Sequence, residues 1–260
     1  MPRQRQIDTA PEWGRGKLLA VLATGAVALL AAVVGLALGV YYSVLAGPAG
    51  SGEDGSSTRG RAGVVSEHDQ AAEVAGEAAA RPGPLTTEVF DELVLPTPTV
   101  LGPAGVSSGF PRTPEGALAQ LAAIDQRVLQ SASVDVAQQV IEEWAVPGGP
   151  TAESWSGVHA VAALLSSAGV SRGGDSALTV SASPEMGQIR ETGEAETTVC
   201  VNFVVTAIKT KTASVASADC QRMAWADGRW MIGAGAEPEQ APSVWPGTAA
   251  ALEAGYRVLR

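Results

Sequence analysis

Residues able to do chemistry are few in this 260-residue chain. Its only cysteines are Cys200 and Cys220 and its only histidines His68 and His159. Two cysteines cannot build a Cys-rich zinc site, and two histidines are too few for a polyhistidine one. Neither a phosphate-loop nor a dinucleotide glycine pattern is present, so no metal and no cofactor is expected. The cysteines lack the C-x-x-C spacing of a redox couple. Candidates for acid–base work are Asp125, Glu142, His159 and Tyr256. His159 stands near Trp155 and Ala163 on a helical face, where a half-buried imidazole could move protons. Asp125 and Glu142 read as helix-surface acids, and His68 as solvated. No Ser, Cys or Lys has a base at nucleophile spacing, so the expectation is a protein without a catalytic residue.

Charge and hydropathy decide where these residues work. From Leu18 to Val44 no residue is charged, and such a helix is about 40 Å long, more than the roughly 30 Å hydrocarbon core requires. A cleaved signal peptide would have a shorter apolar core, and Ser43-Val44-Leu45-Ala46 is a poor cleavage site. Arg3, Arg5, Arg15 and Lys17 precede the span, whereas Glu53 and Asp54 are the first charges after it. The positive-inside rule therefore predicts a single-pass protein of the cell membrane, with residues 1–17 in the cytoplasm and the C-terminal domain outside it. Trp13 and the Tyr41–Tyr42 pair suit the two headgroup layers. Gly35 and Gly39 share one helix face, which permits close packing of a second helix and makes a homo-oligomer a candidate. Beyond residue 47 there are 13 basic against 25 acidic side chains, a balance that repels phosphate backbones and disfavours direct nucleic-acid binding.

Residues 45–109, rich in Gly, Ser, Ala, Pro and acids, read as a disordered linker. The exception is Val89, Phe90, Leu93, Val94 and Leu95, ended by Pro96 and Pro98. This cluster either packs on its own domain or docks a partner.

The domain expected over 110–236 begins with three helices. Thr113-Pro114-Glu115 reads as N-cap, first-turn proline and dipole-compensating acid, before a stripe of Leu118, Leu121, Ala122, Val128 and Leu129. Ser133 caps a second helix with Val136, Val140, Ile141 and Trp144 on its apolar side, stopped by Pro147-Gly148-Gly149-Pro150. Thr151 can cap a third, carrying Trp155, Val158, Val161, Ala162 and Leu165, with Gly169 at its C-terminal end.

The period then changes. Ala177–Ser183 and part of Met186–Arg190 favour short strands, and Thr197–Ile208 is strongly strand-like. Asp227-Gly228 signals a two-residue hairpin, which sets Trp225 opposite Trp230 and Met223 opposite Ile232. If Cys200 faces Cys220, the preceding hairpin centres on Thr210. Val199, Val201, Phe203 and Val205 then share a face with Met223, Trp225, Trp230 and Ile232, and the cysteines lie opposite with Thr198, Asn202, Thr206 and Arg222. Outside the cytoplasm the two cysteines are expected to form a disulfide rather than remain free thiols. Residues 237–260 read as a tail, with Thr248 capping a short helix that carries Leu252, Tyr256 and Leu259 along one side.

This α+β order of three helices, then a curved antiparallel sheet ending in Trp225-Ala226-Asp227-Gly228-Arg229-Trp230-Met231-Ile232, behind one membrane span, resembles the cone of nuclear-transport-factor-like (cystatin-like) domains. It is similar to the inner-membrane assembly subunits of type IV secretion and the TcpC-like conjugation proteins. The Ala-rich, Arg-over-Lys composition and Ser243-Val244-Trp245-Pro246-Gly247 resemble membrane proteins of actinobacterial mobile elements. The resemblance implies a non-catalytic scaffold whose partners are other envelope or secretion-complex proteins and the lipid bilayer. Membrane proteins associated with mammalian-cell-entry (Mce-type) lipid transporters share the plan, so an accessory role in lipid or solute transport is the alternative, with an extracytoplasmic ligand-binding domain beside it. Trp155, His159, Phe203, Trp225 and Trp230 are the candidates to line a pocket in such a cone. A ligand binder should possess a largely apolar pocket with a few converging polar groups, whereas a scaffold should fill it and expose an apolar patch.

Protease added to intact spheroplasts is expected to remove the mass beyond residue 50. Full protection there would reverse the predicted orientation.

Overall fold

The helices begin where their caps stand. In the computed structural model, which describes residues 75–193 and 195–260, α1 spans Pro114–Ser131 and the Thr113 side chain accepts from the Gly116 N–H. Helix α2 spans Val134–Trp144 and is capped in the same way by Ser133 on Val136. Helix α3 spans Ser156–Ser167, and its N-cap is Trp155 rather than Thr151. Thr151 instead engages Ser154 and Glu153 in a turn of its own, which delays the helix by one turn. Ala162, read as part of the apolar stripe of α3, is exposed.

The expected segments Ala177–Ser183 and Met186–Arg190 form one strand, β4 (Thr179–Thr192), which pairs with β5 (Glu196–Ile208). Register shifts at Pro184/Met186 and Ile189/Glu191 interrupt the ladder. Such shifts bend a strand and accommodate a proline that cannot donate. At the bend Gly187 lies so close to α1 that an added Cβ would stand 2.8 Å from Leu118 Cδ2. Strand β5 pairs with β6 (Thr212–Ala226), with Cys200 opposite Cys220, and the β6–β7 (Arg229–Ile232) hairpin sets Trp225 against Trp230 and Met223 against Ile232. Asp227 and Gly228 both take positive φ, as a tight hairpin turn requires.

Residues 75–109 and 237–260 depart from the expectation of linker and tail. Strand β8 (Arg257–Leu259) inserts between β4 and β1 (Glu92–Leu93), giving the curved sheet the order β1-β8-β4-β5-β6-β7. Leu93 is buried, and β2 (Val100–Leu101) pairs with β3 (Ser107–Ser108). Buried Gln120 of α1 holds this region by accepting from Ser108 Oγ and donating to the Ser107 carbonyl. The physical reason is that the segment before α1 and the C-terminal segment supply each other's backbone partners: Leu95 N–H donates to Arg260 O, and Arg260 N–H to Leu93 O. Helix α4 spans only Ala249–Glu253, capped by Thr248 as expected. Gly255, at positive φ, follows it, and Tyr256 and Leu259 lie beyond.

The sheet separates two apolar clusters. The larger joins α1, α2 and α3 to Val199, Val201, Phe203, Val205, Met223, Trp230 and Ile232. The smaller, on the other face, holds Met186, Cys200, Cys220, Val244, Ala251 and Tyr256. Cys200 and Cys220 form a disulfide. Among the described residues no helix is long and apolar enough to cross a membrane; Leu18–Val44 and the Gly35–Gly39 pair lie outside them.

The bridge closes a loop of sequence separation 20, which in the chain-entropy model contributes on the order of 3 kcal/mol. In denaturant titrations, reductant should lower the unfolding midpoint of the wild type and leave a Cys200→Ser/Cys220→Ser variant unchanged. Equal shifts in both would remove the disulfide from the account.

Candidate functional site

Helix α1 presents one acid on its apolar stripe. Asp125 falls four residues after Leu121 and three before Val128, the spacing of a single helix face, and it is only 4% exposed. It lines a cavity of about 120 Å³ between α1, the start of α3 and the sheet, together with Val128, Ser156, Phe203, Ser217 and Asp219. The register explains the strand side of this wall. Ser217 pairs with Phe203 and Asp219 with Val201, and directly opposed residues share a face, so both point away from the disulfide and towards the helices.

Asp219 is well held. Ser156 Oγ donates to its Oδ1 at 2.9 Å, and Gln221 Nε2 lies 3.2 Å and 3.1 Å from its two oxygens. Glu237 joins from the loop that follows β7. Its Oε1 accepts from the Ser156 backbone N–H at 2.9 Å and lies 3.1 Å from Ser156 Oγ. It thereby supplies the anionic cap that Trp155, which has no side-chain bond to the helix, does not give. Between residues 216 and 220 the edge of β6 is closed by other groups. Gln240 accepts from Cys220 N–H and donates to Cys220 O, Ser243 Oγ accepts from Ala218 N–H, and the Ala80 carbonyl accepts from Ala216 N–H.

Three acids on three elements thus converge. Removal from water raises the pKa of Asp125 well above the ordinary aspartate range, and repulsion from Asp219 and Glu237 adds to the effect. Asp219 is pushed up to about 6, chiefly by burial. The bonds from Gln221 and Ser156 pull it down, and Glu237 raises it again. Asp125 Oδ2 is buried and has no hydrogen-bond partner from the protein. The site is therefore a mostly apolar chamber with two carboxyl groups in its wall, each favouring its protonated form more than a free carboxylate would. Among the described residues no group of three His, Cys, Asp or Glu side chains is placed to hold a metal ion.

Of the aromatic residues named from sequence, Phe203 lines this cavity. Trp155 is fully buried in the main cluster. His159 is exposed, with Nε2 3.1 Å from the Glu153 carbonyl. Trp225 and Trp230 form an edge-to-face pair with centroids 5.3 Å apart, and Trp230 Nε1 donates to Pro111 O. Glu142 is exposed. Tyr256 lies on the opposite side of the sheet, where its hydroxyl donates to Pro242 O and burial raises its pKa. Asp125 is corrected from a surface acid to a buried one, because its position falls inside the apolar stripe. Asp219 was legible too, since the register that pairs the cysteines turns it to the core face. No local signal marks Glu237, which sits in irregular chain. Comparison of the chain with known protein families, with characterised proteins and with solved structures finds no match.

The sign of the pH dependence follows from the raised carboxyl of Asp219. The folded state binds its proton more tightly than the unfolded chain, so this group's contribution to stability is present at low pH and falls as pH rises from about 4 through about 6. The melting temperature of Asp219→Asn should equal or fall below that of the wild type near pH 4 and exceed it by a few degrees at pH 7. A pH-independent difference between the two would mean that Asp219 is not held away from water.

Proposed function

We propose that this chain is a membrane-anchored ligand-binding protein, with its globular part outside the cytoplasm and a nuclear-transport-factor-like cone as its fold. The observation that carries the reading is the cavity of about 120 Å³ into which Asp125 and Asp219 open among apolar neighbours. That is the combination expected of a binder, since apolar walls provide affinity and a few polar groups fix orientation. The expected span over Leu18–Val44 supplies the anchor, and the charge asymmetry around it supplies the orientation. An accessory role in lipid or solute transport is compatible with the same cavity.

A second reading is favoured by a different observation. Leu85, Val89, Val94, Val100 and Leu101 are exposed, Val89 to 91%, along the segment that precedes α1. These are apolar side chains a partner could cover, as the assembly component of an envelope-spanning secretion or conjugation complex would require.

The test is a cavity-filling variant. Ser217 shares the face of Phe203 and lines the cavity, so Ser217→Phe would occupy the chamber while keeping both acids in the chain. Cavities near this size accept molecules of about six non-hydrogen atoms. Saturation-transfer NMR on the full chain in non-ionic detergent, with a panel of such fragments, should find saturable binders of the wild type that Ser217→Phe loses. If the variant binds every fragment equally well, the cavity is not the receptor site and the scaffold reading takes precedence.

A further inference from the structure

We infer that the cavity takes a small organic cation, a protonated amine or amidine with a short apolar body, seated against Asp125 and Asp219. This rests on the reading of the cavity as a binding site and names its ligand class. The groups that face Asp125 come from two other elements, Asp219 of β6 and Glu237 of the following loop, and both are acids. Helix α3 contributes Ser156, whose hydroxyl is already committed to those two carboxylates. The ion pairs Arg172–Asp135, Lys209–Asp175 and Arg260–Glu92 use none of the three acids. Asp125 is nine-tenths buried or more, lines the chamber, and keeps Oδ2 without a protein partner. An uncompensated buried carboxyl is expensive unless something pairs with it.

The alternatives fit less well. An anion would enter beside three acids and be repelled by any of them that ionises. A bare metal ion lacks a ligand set among the described residues. A neutral donor would satisfy one oxygen but supply no opposite charge to either carboxyl. A cation supplies the opposite charge inside an apolar wall, where electrostatic attraction is least screened, and its carbon body fills the rest of the chamber.

The proton balance follows. The ammonium group enters intact and no covalent bond forms. The carboxyl that held a proton gives it to the buffer and becomes the carboxylate partner of the ligand. Affinity therefore rises with pH until the amine itself deprotonates, near 10 for an alkylamine.

The experiment is calorimetry on the full chain in non-ionic detergent with three isosteric probes: n-butylammonium, butan-1-ol and butyrate. Butylammonium should bind at least tenfold more tightly at pH 8 than at pH 5, and its heat should differ between Tris and phosphate as release of about one proton requires. Asp125→Asn should abolish that proton release while keeping the affinity for butan-1-ol. Where this variant does not fold, the two-buffer comparison on the wild type decides by itself. Butan-1-ol or butyrate binding as tightly as butylammonium at pH 8 would overturn the cation inference and leave a binding cavity. Failure of all three probes to bind would overturn both.

Discussion

The pairing of β5 with β6 is the constraint on which the rest of the domain depends. Side chains alternate across a strand, so a slip of one residue would exchange every inward position for an outward one. With Cys200 opposite Cys220, Val199, Val201, Phe203 and Val205 of β5 face the helices and the disulfide faces the smaller cluster. The same register turns Ser217, Asp219 and Gln221 inward. The covalent bridge between adjacent strands makes this arrangement hard to shift, and it sits one residue from Asp219, so the carboxylate and the crosslink are held by the same stretch of backbone.

Burying carboxyl groups in this way opposes folding. Asp125 lies where an apolar side chain would pack at lower cost and keeps Oδ2 without a protein partner, whereas Asp219 is half-buried and receives hydrogen bonds that offset part of the loss. Polar groups placed against the energetic grain of a core point to binding or proton chemistry. The surrounding construction is consistent with that. A loop carboxylate caps α3, side chains of the 237–246 loop close the open edge of β6, and both arrangements converge on the wall of one chamber.

The exposed apolar residues of the segment before α1 belong to a different level of organisation. Leu93 and Val106 bury into the main cluster while Val89, Val94 and Leu101 remain outside. The segment is thus docked by some of its apolar groups and displays the others. Binding in the chamber and association through this segment use separate surfaces, and one chain could do both.

Local chemistry decided much of this from sequence alone. The Thr113, Ser133 and Thr248 caps, the stripes of α1 and α2, the Asp227-Gly228 turn, the cysteine register and the apolar face it generates all depend on neighbours within a few residues or on one hairpin. The mixed α+β class followed from them, whereas Asp125, inside the α1 stripe by its spacing, read as a surface acid because of its charge and proved buried. What only the tertiary structure decided involves partners far apart in the chain: the pairing of residues 91–95 with 258–260, which turns an expected linker and tail into sheet, and the arrival of Glu237 at Ser156. No periodicity encodes such meetings, because each segment's own pattern is too short or too irregular. Their stability comes from hydrogen bonds and burial that exist only once the rest of the sheet has formed.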